Sequence, residues 1–82
     1  MKEEDYQKQA LCSLENIRLD PNTQIVNFKS NSLKIIPQEY FIHNPFIWEL
    51  NLSDNKLNKI MGISVFRALK LLDLSYNDLP LM

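Results

Sequence analysis

The stretch Leu50-Asn51-Leu52-Ser53-Asp54-Asn55-Lys56-Leu57 returns almost unchanged as Leu72-Asp73-Leu74-Ser75-Tyr76-Asn77-Asp78-Leu79. Both read L-x-L-S-x-N-x-L. A fixed period constrains a chain more than any single residue does, because each copy makes the same unit and must bury its apolar face on its neighbours. A degenerate earlier copy, Val26-x-Phe28-x-x-Asn31-x-Leu33, stands in the same register. The asparagines fall at 31, 55 and 77, so successive copies are 24 and 22 residues apart.

Each position in the pattern has a physical reason. Leu50 and Leu52 are two residues apart, so in an extended strand they point the same way. They are expected to face inward and stack on Val26 and Phe28 on one side, and on Leu72 and Leu74 on the other. Asn31, Asn55 and Asn77 stand where the chain leaves the strand and bends. An amide there both donates to and accepts from backbone groups that would otherwise be buried without partners. The connecting segments correspond as well. Leu33, Ile36, Pro37, Phe41 and Phe46-Ile47 in the first match Leu57, Ile60, Val65-Phe66 and Leu69 in the second, so apolar residues recur where an arc is expected to turn inward. One phenylalanine per arc is placed to stack on the next.

These residues resemble the pattern L-x-x-L-x-L-x-x-N-x-L-x-x-I-P-x-x-x-F of extracellular-type leucine-rich repeat proteins. Residues 23 to 79 carry it. Asn31, Leu33, Ile36, Pro37 and Phe41 match it, and the second copy matches from Ile47 through Ile60. Met61 replaces the proline, Phe66 comes one residue late, and Asn44 stands where a leucine belongs. The resemblance implies an α/β solenoid: a short right-handed coil with a parallel β-sheet on its concave face and irregular, 3-10 or helical arcs on its convex side. Repeats are expected over 23–46, 47–68 and an incomplete 69–82, within a repeat domain of 11–82.

Ahead of the repeats, residues 1–10 read as a polar tail that frays or forms a helical turn. Ile17-Arg18-Leu19 alternates like a half-buried strand. Asp20-Pro21-Asn22-Thr23 is turn chemistry, and Ile25-Val26-Asn27-Phe28 is a second β-rich run. A β-hairpin cap, about 11–22 with its return strand, is therefore expected to close the sheet's open edge. Cys12-x-Leu14-x-x-Ile17-x-Leu19, followed by Ser32-Leu33-x-x-Ile36-Pro37, is similar to the start of insect secreted leucine-rich repeat immune proteins, mosquito ones included. That resemblance implies a disulfide-bonded cap cysteine, a secreted location and innate immune recognition of partner proteins. Cys12 is the one cysteine here, and the charged start Met1-Lys2-Glu3-Glu4-Asp5 leads into no apolar stretch, so no signal peptide is read there. The last repeat stops at Pro80-Leu81-Met82, which reads as a fragment with no C-terminal cap, and its leucines invite self-association.

The function classes narrow by exclusion. At 82 residues the chain makes one small domain with a thin core. An apolar fraction of 45% is that of a folding sequence. Nine basic and ten acidic residues nearly cancel, which offers nothing to nucleic acid. No stretch reaches the roughly 18 apolar residues of a membrane span. One cysteine and one histidine, His43, make no zinc set of about four ligands. Asp54, Asp73 and Asp78 lack the spacing and glycine of a calcium loop. With no nucleophile–base pair and no phosphate loop, neither catalysis nor a cofactor is expected. Cys12 reads as a buried apolar residue, Trp48 as a packing residue, and His43 as a solvent-facing one. Asn51-Leu52-Ser53 fits the N-glycosylation pattern, but the repeat itself generates that tripeptide.

Protein binding remains. Side chains that alternate with the inward leucines should project from the concave sheet, where solenoids hold partners. In register these are Ile25, Asn27 and Lys29; Glu49, Asn51 and Ser53; and Leu71, Asp73 and Ser75. Ile25 and Leu71 are apolar where water is expected, as at an interface. The runner-up reading is a structural capping fragment of a longer repeat protein.

Overall fold

The computed structural model describes residues 1–37, 39–59 and 65–80. Four three-residue strands, β1 (Glu3–Asp5), β2 (Ile25–Asn27), β3 (Glu49–Asn51) and β4 (Leu71–Asp73), form one sheet in chain order. All three pairings are parallel. Parallel neighbours need long crossovers, and here the strand starts lie 22, 24 and 22 residues apart. The crossovers are turns and irregular arcs with almost no helix among the described residues. Such a sheet is compatible with the coil that the repeats predict. The matching Ile60, the departure at Met61 and the end at Leu81-Met82 lie outside the described residues.

The register brings like residues together: Val26 pairs with Leu50, and Leu50 with Leu72. Val26 and Leu50 join Phe28, Leu33, Ile47, Leu52, Leu57, Leu14 and Phe41 in one buried cluster on the inner face, and Leu72 packs against it. The rings of Phe41 and Phe66 lie 5.0 Å apart, so consecutive arcs touch through phenylalanine. Burial falls off toward the last strand. Leu50 and Leu52 are buried, whereas Leu72, Leu74 and Leu79 are only partly covered.

A row of asparagines ties the layers. Asn55 Nδ2 donates to the Leu52 carbonyl of its own turn and to the Phe28 carbonyl of the preceding one. Its Oδ1 accepts from the N–H of Leu33. Asn31 bridges in the same way to Tyr6, Gln9 and Leu11, and Asn77 to Leu52 and Leu57. Just before each asparagine the backbone is left-handed: φ is 60° at Ser30, 56° at Asp54 and 57° at Tyr76. That twist aims the Ser30 N–H at Ser53 O and the Asp54 N–H at Ser75 O, one layer along.

The N-terminal end departs from the sequence expectation. No hairpin forms over residues 11–28, and Ile17–Leu19 is not a strand. The edge of β2 is instead covered by β1, inside the segment read as a tail, and the pairing is parallel. Lys8 has φ 57°, and its N–H donates to Lys29 O. Glu4, Tyr6, Gln9 and Leu11 thus occupy the places of Val26, Phe28, Asn31 and Leu33, so residues 3–11 are a further, strongly degenerate copy. Its signature is hidden because a carboxylate replaces the first inward apolar residue. Glu4 accepts bonds from Thr23 Oγ1, the Tyr6 hydroxyl and the Asp20 N–H, which makes the substitution tolerable. Asp20–Thr23 is a turn, closed by Thr23 N–H to Asp20 O and by Asn22 N–H to the Asp20 carboxylate.

Two smaller readings also change, and the place of Asn44 is explained. Cys12 is exposed, and Leu14 takes the core place nearby. Phe46, read as inward, is exposed, while its neighbour Ile47 is buried. Asn44, in a leucine position, is buried and satisfied by donating to Asp20 O at 3.0 Å.

Candidate interaction face

Alternation within each strand sends one set of side chains into the cluster and the other away from it. The away-facing set forms rows across the sheet. One row is Glu3, Ile25, Glu49 and Leu71; the next is Asp5, Asn27, Asn51 and Asp73. The first alternates acid and aliphatic. The second holds a carboxylate or amide in every strand.

The second row has a structural duty. Asp5, Asn27, Asn51 and Asp73 each accept, through Oδ1, the N–H of the residue two further on, at 2.9–3.0 Å. These are Asx-turns, in which the side chain stands in for a backbone carbonyl as the strand ends. Asn51 and Asp73 also accept the hydroxyls of Ser53 and Ser75. The Ser75 hydroxyl and N–H hold the Asp73 carboxyl below the ordinary carboxylate range against slight burial, and Lys29 adds to the effect. Asp73 therefore stays ionised while it shapes the turn.

The nine residues expected at a partner surface separate on this basis. Ile25, Glu49 and Leu71 stand in one row, and Leu71 is 54% exposed. Asn27, Asn51 and Asp73 share the next row but spend Oδ1 on the turns. Lys29 and Ser75 are exposed beyond the strand ends. Ser53 is a correction: it is buried, with its hydroxyl turned back to Asn51, and is not available on the face. The same geometry accounts for Asn51-Leu52-Ser53, since Asp73-Leu74-Ser75 makes the identical turn without being a glycosylation tripeptide.

Sequence reading missed Glu3 and Asp5, because nothing in residues 1–10 identified a strand. The copy spacing of 22 residues, counted backwards from Val26, would have pointed to Glu4. It also missed two concavities. One of about 420 Å³ lies on the face between β3 and β4, over Glu49, Asn51, Leu71 and Asp73. The other, about 360 Å³, lies where the strands begin and is lined by Gln24, Phe46, Trp48, Ala68 and Lys70. Trp48 is accordingly half-buried rather than fully packed. No helix among the described residues is long and apolar enough to cross a membrane.

Over 55 residues, 67% of its length, the chain is 40% identical to leucine-rich repeat-containing G-protein coupled receptor 4 of Xenopus tropicalis. It spans 6% of that receptor's length. The likeness supports a leucine-rich repeat character, in agreement with the parallel sheet and the asparagine row. No family profile matches the chain. No solved structure matches it either.

Proposed function

We propose that this chain is a non-catalytic protein-interaction module, a leucine-rich repeat solenoid that holds a partner on the concave side of its sheet. The observation that carries the reading is the row Glu3, Ile25, Glu49, Leu71, which keeps aliphatic side chains on the face away from the core. Nothing in the fold requires them there. The core has its own leucines, and the turns have their own aspartates and asparagines. The likeness to a receptor that carries such repeats supports recognition as the role. The likeness of residues 12–37 to insect immune proteins supports an extracellular setting and innate immune recognition.

The test is a neutral steric block. Ile25→Trp and Leu71→Trp crowd the face, while Ile42→Trp crowds an exposed arc position. Partner capture should fall with the first two and survive the third. Capture unchanged by both face variants would sink the reading.

The capping-fragment reading has one observation in its favour: Leu72, Leu74 and Leu79 are only partly covered, whereas Leu50, Leu52 and Leu57 are buried. A chain whose role is to end a longer stack should self-associate through that flank. Sedimentation analysis showing a stable, well-folded monomer would count against it.

A further inference from the structure

Four carboxylates and one ammonium share the away-facing surface: Glu3, Asp5, Glu49 and Asp73 against Lys29. They leave it with a formal charge of −3, although the whole chain carries −1. The acidity therefore belongs to this face and is balanced elsewhere. Only the structure reveals it, because half of it comes from β1.

Asp5 and Asp73 accept bonds within their own turns, but among the described residues none of the four carboxylates is neutralised in an ion pair. The one ion pair among the described residues is Lys2–Asp20, away from the face. Nor are they gathered for a metal, since among the described residues no three acidic, histidine or cysteine side chains converge. Parallel strands lie about 4.8 Å apart, so Glu3 and Glu49 stand about 10 Å from each other with Ile25 between them. Glu49 and Asp73 are diagonal neighbours that flank Leu71, roughly 7–8 Å apart by the usual sheet spacing. The 420 Å³ concavity lies among these residues. An aliphatic patch bracketed by carboxylates matches a long cationic side chain, whose stem covers the aliphatic and whose head reaches the acid. A second copy does not match, because two such faces would repel.

We infer that the occupant of this face is a basic protein segment, one that presents Arg or Lys beside an aliphatic residue. The inference rests on the reading of the face as a protein-binding surface and adds the chemistry of the partner.

The test uses three ten-residue peptides that alternate leucine with arginine, with glutamate or with serine, titrated into isotopically labelled protein. Only the arginine peptide should shift the amides of Ile25, Glu49, Leu71 and Asp73. Glu49→Gln with Asp73→Asn should weaken its binding about tenfold, and raising the salt should weaken it in the wild type as well. Asn27 and Asn51 already make the Asx-turn required at position 73, so the double variant keeps the fold, and its melting curve checks this. Equal shifts from the serine peptide would overturn the charge inference and leave the binding face standing. Shifts confined to the arcs, or none from the arginine peptide, would also overturn it. The tryptophan blocks then decide the face separately.

Discussion

Asn55 offers the sharpest test of what holds the layers together. It is buried and bonds its own turn to the layer before it. In Asn55→Ala the carbonyls do not all lose their only partner. Phe28 O keeps Asn31 Nδ2, Leu52 O keeps Asn77 Nδ2, and Ser53 O keeps the Ser30 N–H. The Leu33 N–H keeps nothing, since its acceptor is Asn55 Oδ1 at 3.1 Å. One orphaned buried donor costs about 1–3 kcal/mol, and each weakened carbonyl adds a fraction of a net bond, about 0.5 kcal/mol. With three such carbonyls the loss should therefore be about 2.5–4.5 kcal/mol. A folded chain of this size has roughly 4–12 kcal/mol in all.

Urea unfolding measures the total, and amide exchange locates it. The Leu33 amide should lose more protection than the global change accounts for. The Leu57 amide, held by Asn77 Oδ1 at 2.9 Å, should lose only the global part. A total below about 0.5 kcal/mol, or equal losses at Leu33 and Leu57, would refute the idea that this asparagine satisfies one particular donor. Solvent reaching the inner edge of the sheet would then be the better account.

Leu52→Ala should cost about 2–5 kcal/mol by opening a cavity beside Leu50 and Leu57, whereas Leu74→Ala, on the half-covered flank, should cost about 1 kcal/mol in the same urea assay. At Glu4, burial raises the carboxyl pKa, but the bonds from Thr23, Tyr6 and the Asp20 N–H, with Lys2 nearby, outweigh it and lower the value below 4.5. The contribution is fully present above pH 4.5 and is lost as pH falls through the lowered folded value, so Glu4→Gln should flatten the acid limb of the stability curve. Tyr76 combines φ of 57° with 84% exposure. Tyr76→Gly should raise stability by up to about 1 kcal/mol, seen as a higher melting temperature, because it removes left-handed strain at little packing cost.

The repeat was legible because its determinants are local and chemical. Leu50, Leu52, Asn55 and Leu57 announce themselves by type and spacing, and the same four positions carry the buried stack. β1 was not legible, because recognition of a copy relies on leucines and an asparagine. Glu4, Tyr6 and Gln9 replace all three while keeping the backbone path. Their fitness depends on Thr23 and Asp20, a turn nearly twenty residues away. Ser53 was misplaced for a related reason. Period two puts it on the open face, but the strand ends at Asn51 and Ser53 is buried with its hydroxyl on Asn51, whereas Lys29 and Ser75, after the same Asx-turn, stay exposed. Phe46 erred the other way, since apolar character was taken for burial in an arc that has no period to enforce it.

The two rows of the face differ in how freely they can vary, and that difference bears on where specificity resides. Asp5, Asn27, Asn51 and Asp73 are limited to side chains that accept a bond two residues on, so Asp and Asn are nearly the whole choice. Glu3, Ile25, Glu49 and Leu71 make no side-chain hydrogen bond within the described residues and lie outside the core cluster. Exchanging them changes the face without touching the stack. A set of repeats can thus keep one scaffold while its first row is rewritten for a new partner, and the second row then supplies only a choice of charge, Asp or Asn, at fixed geometry. Swapping Asn51 and Asp73 should accordingly move the acidic centre by one strand at almost no cost in stability. A loss beyond about 1 kcal/mol in the double swap would mean that the two turns are not equivalent and that the rows are coupled.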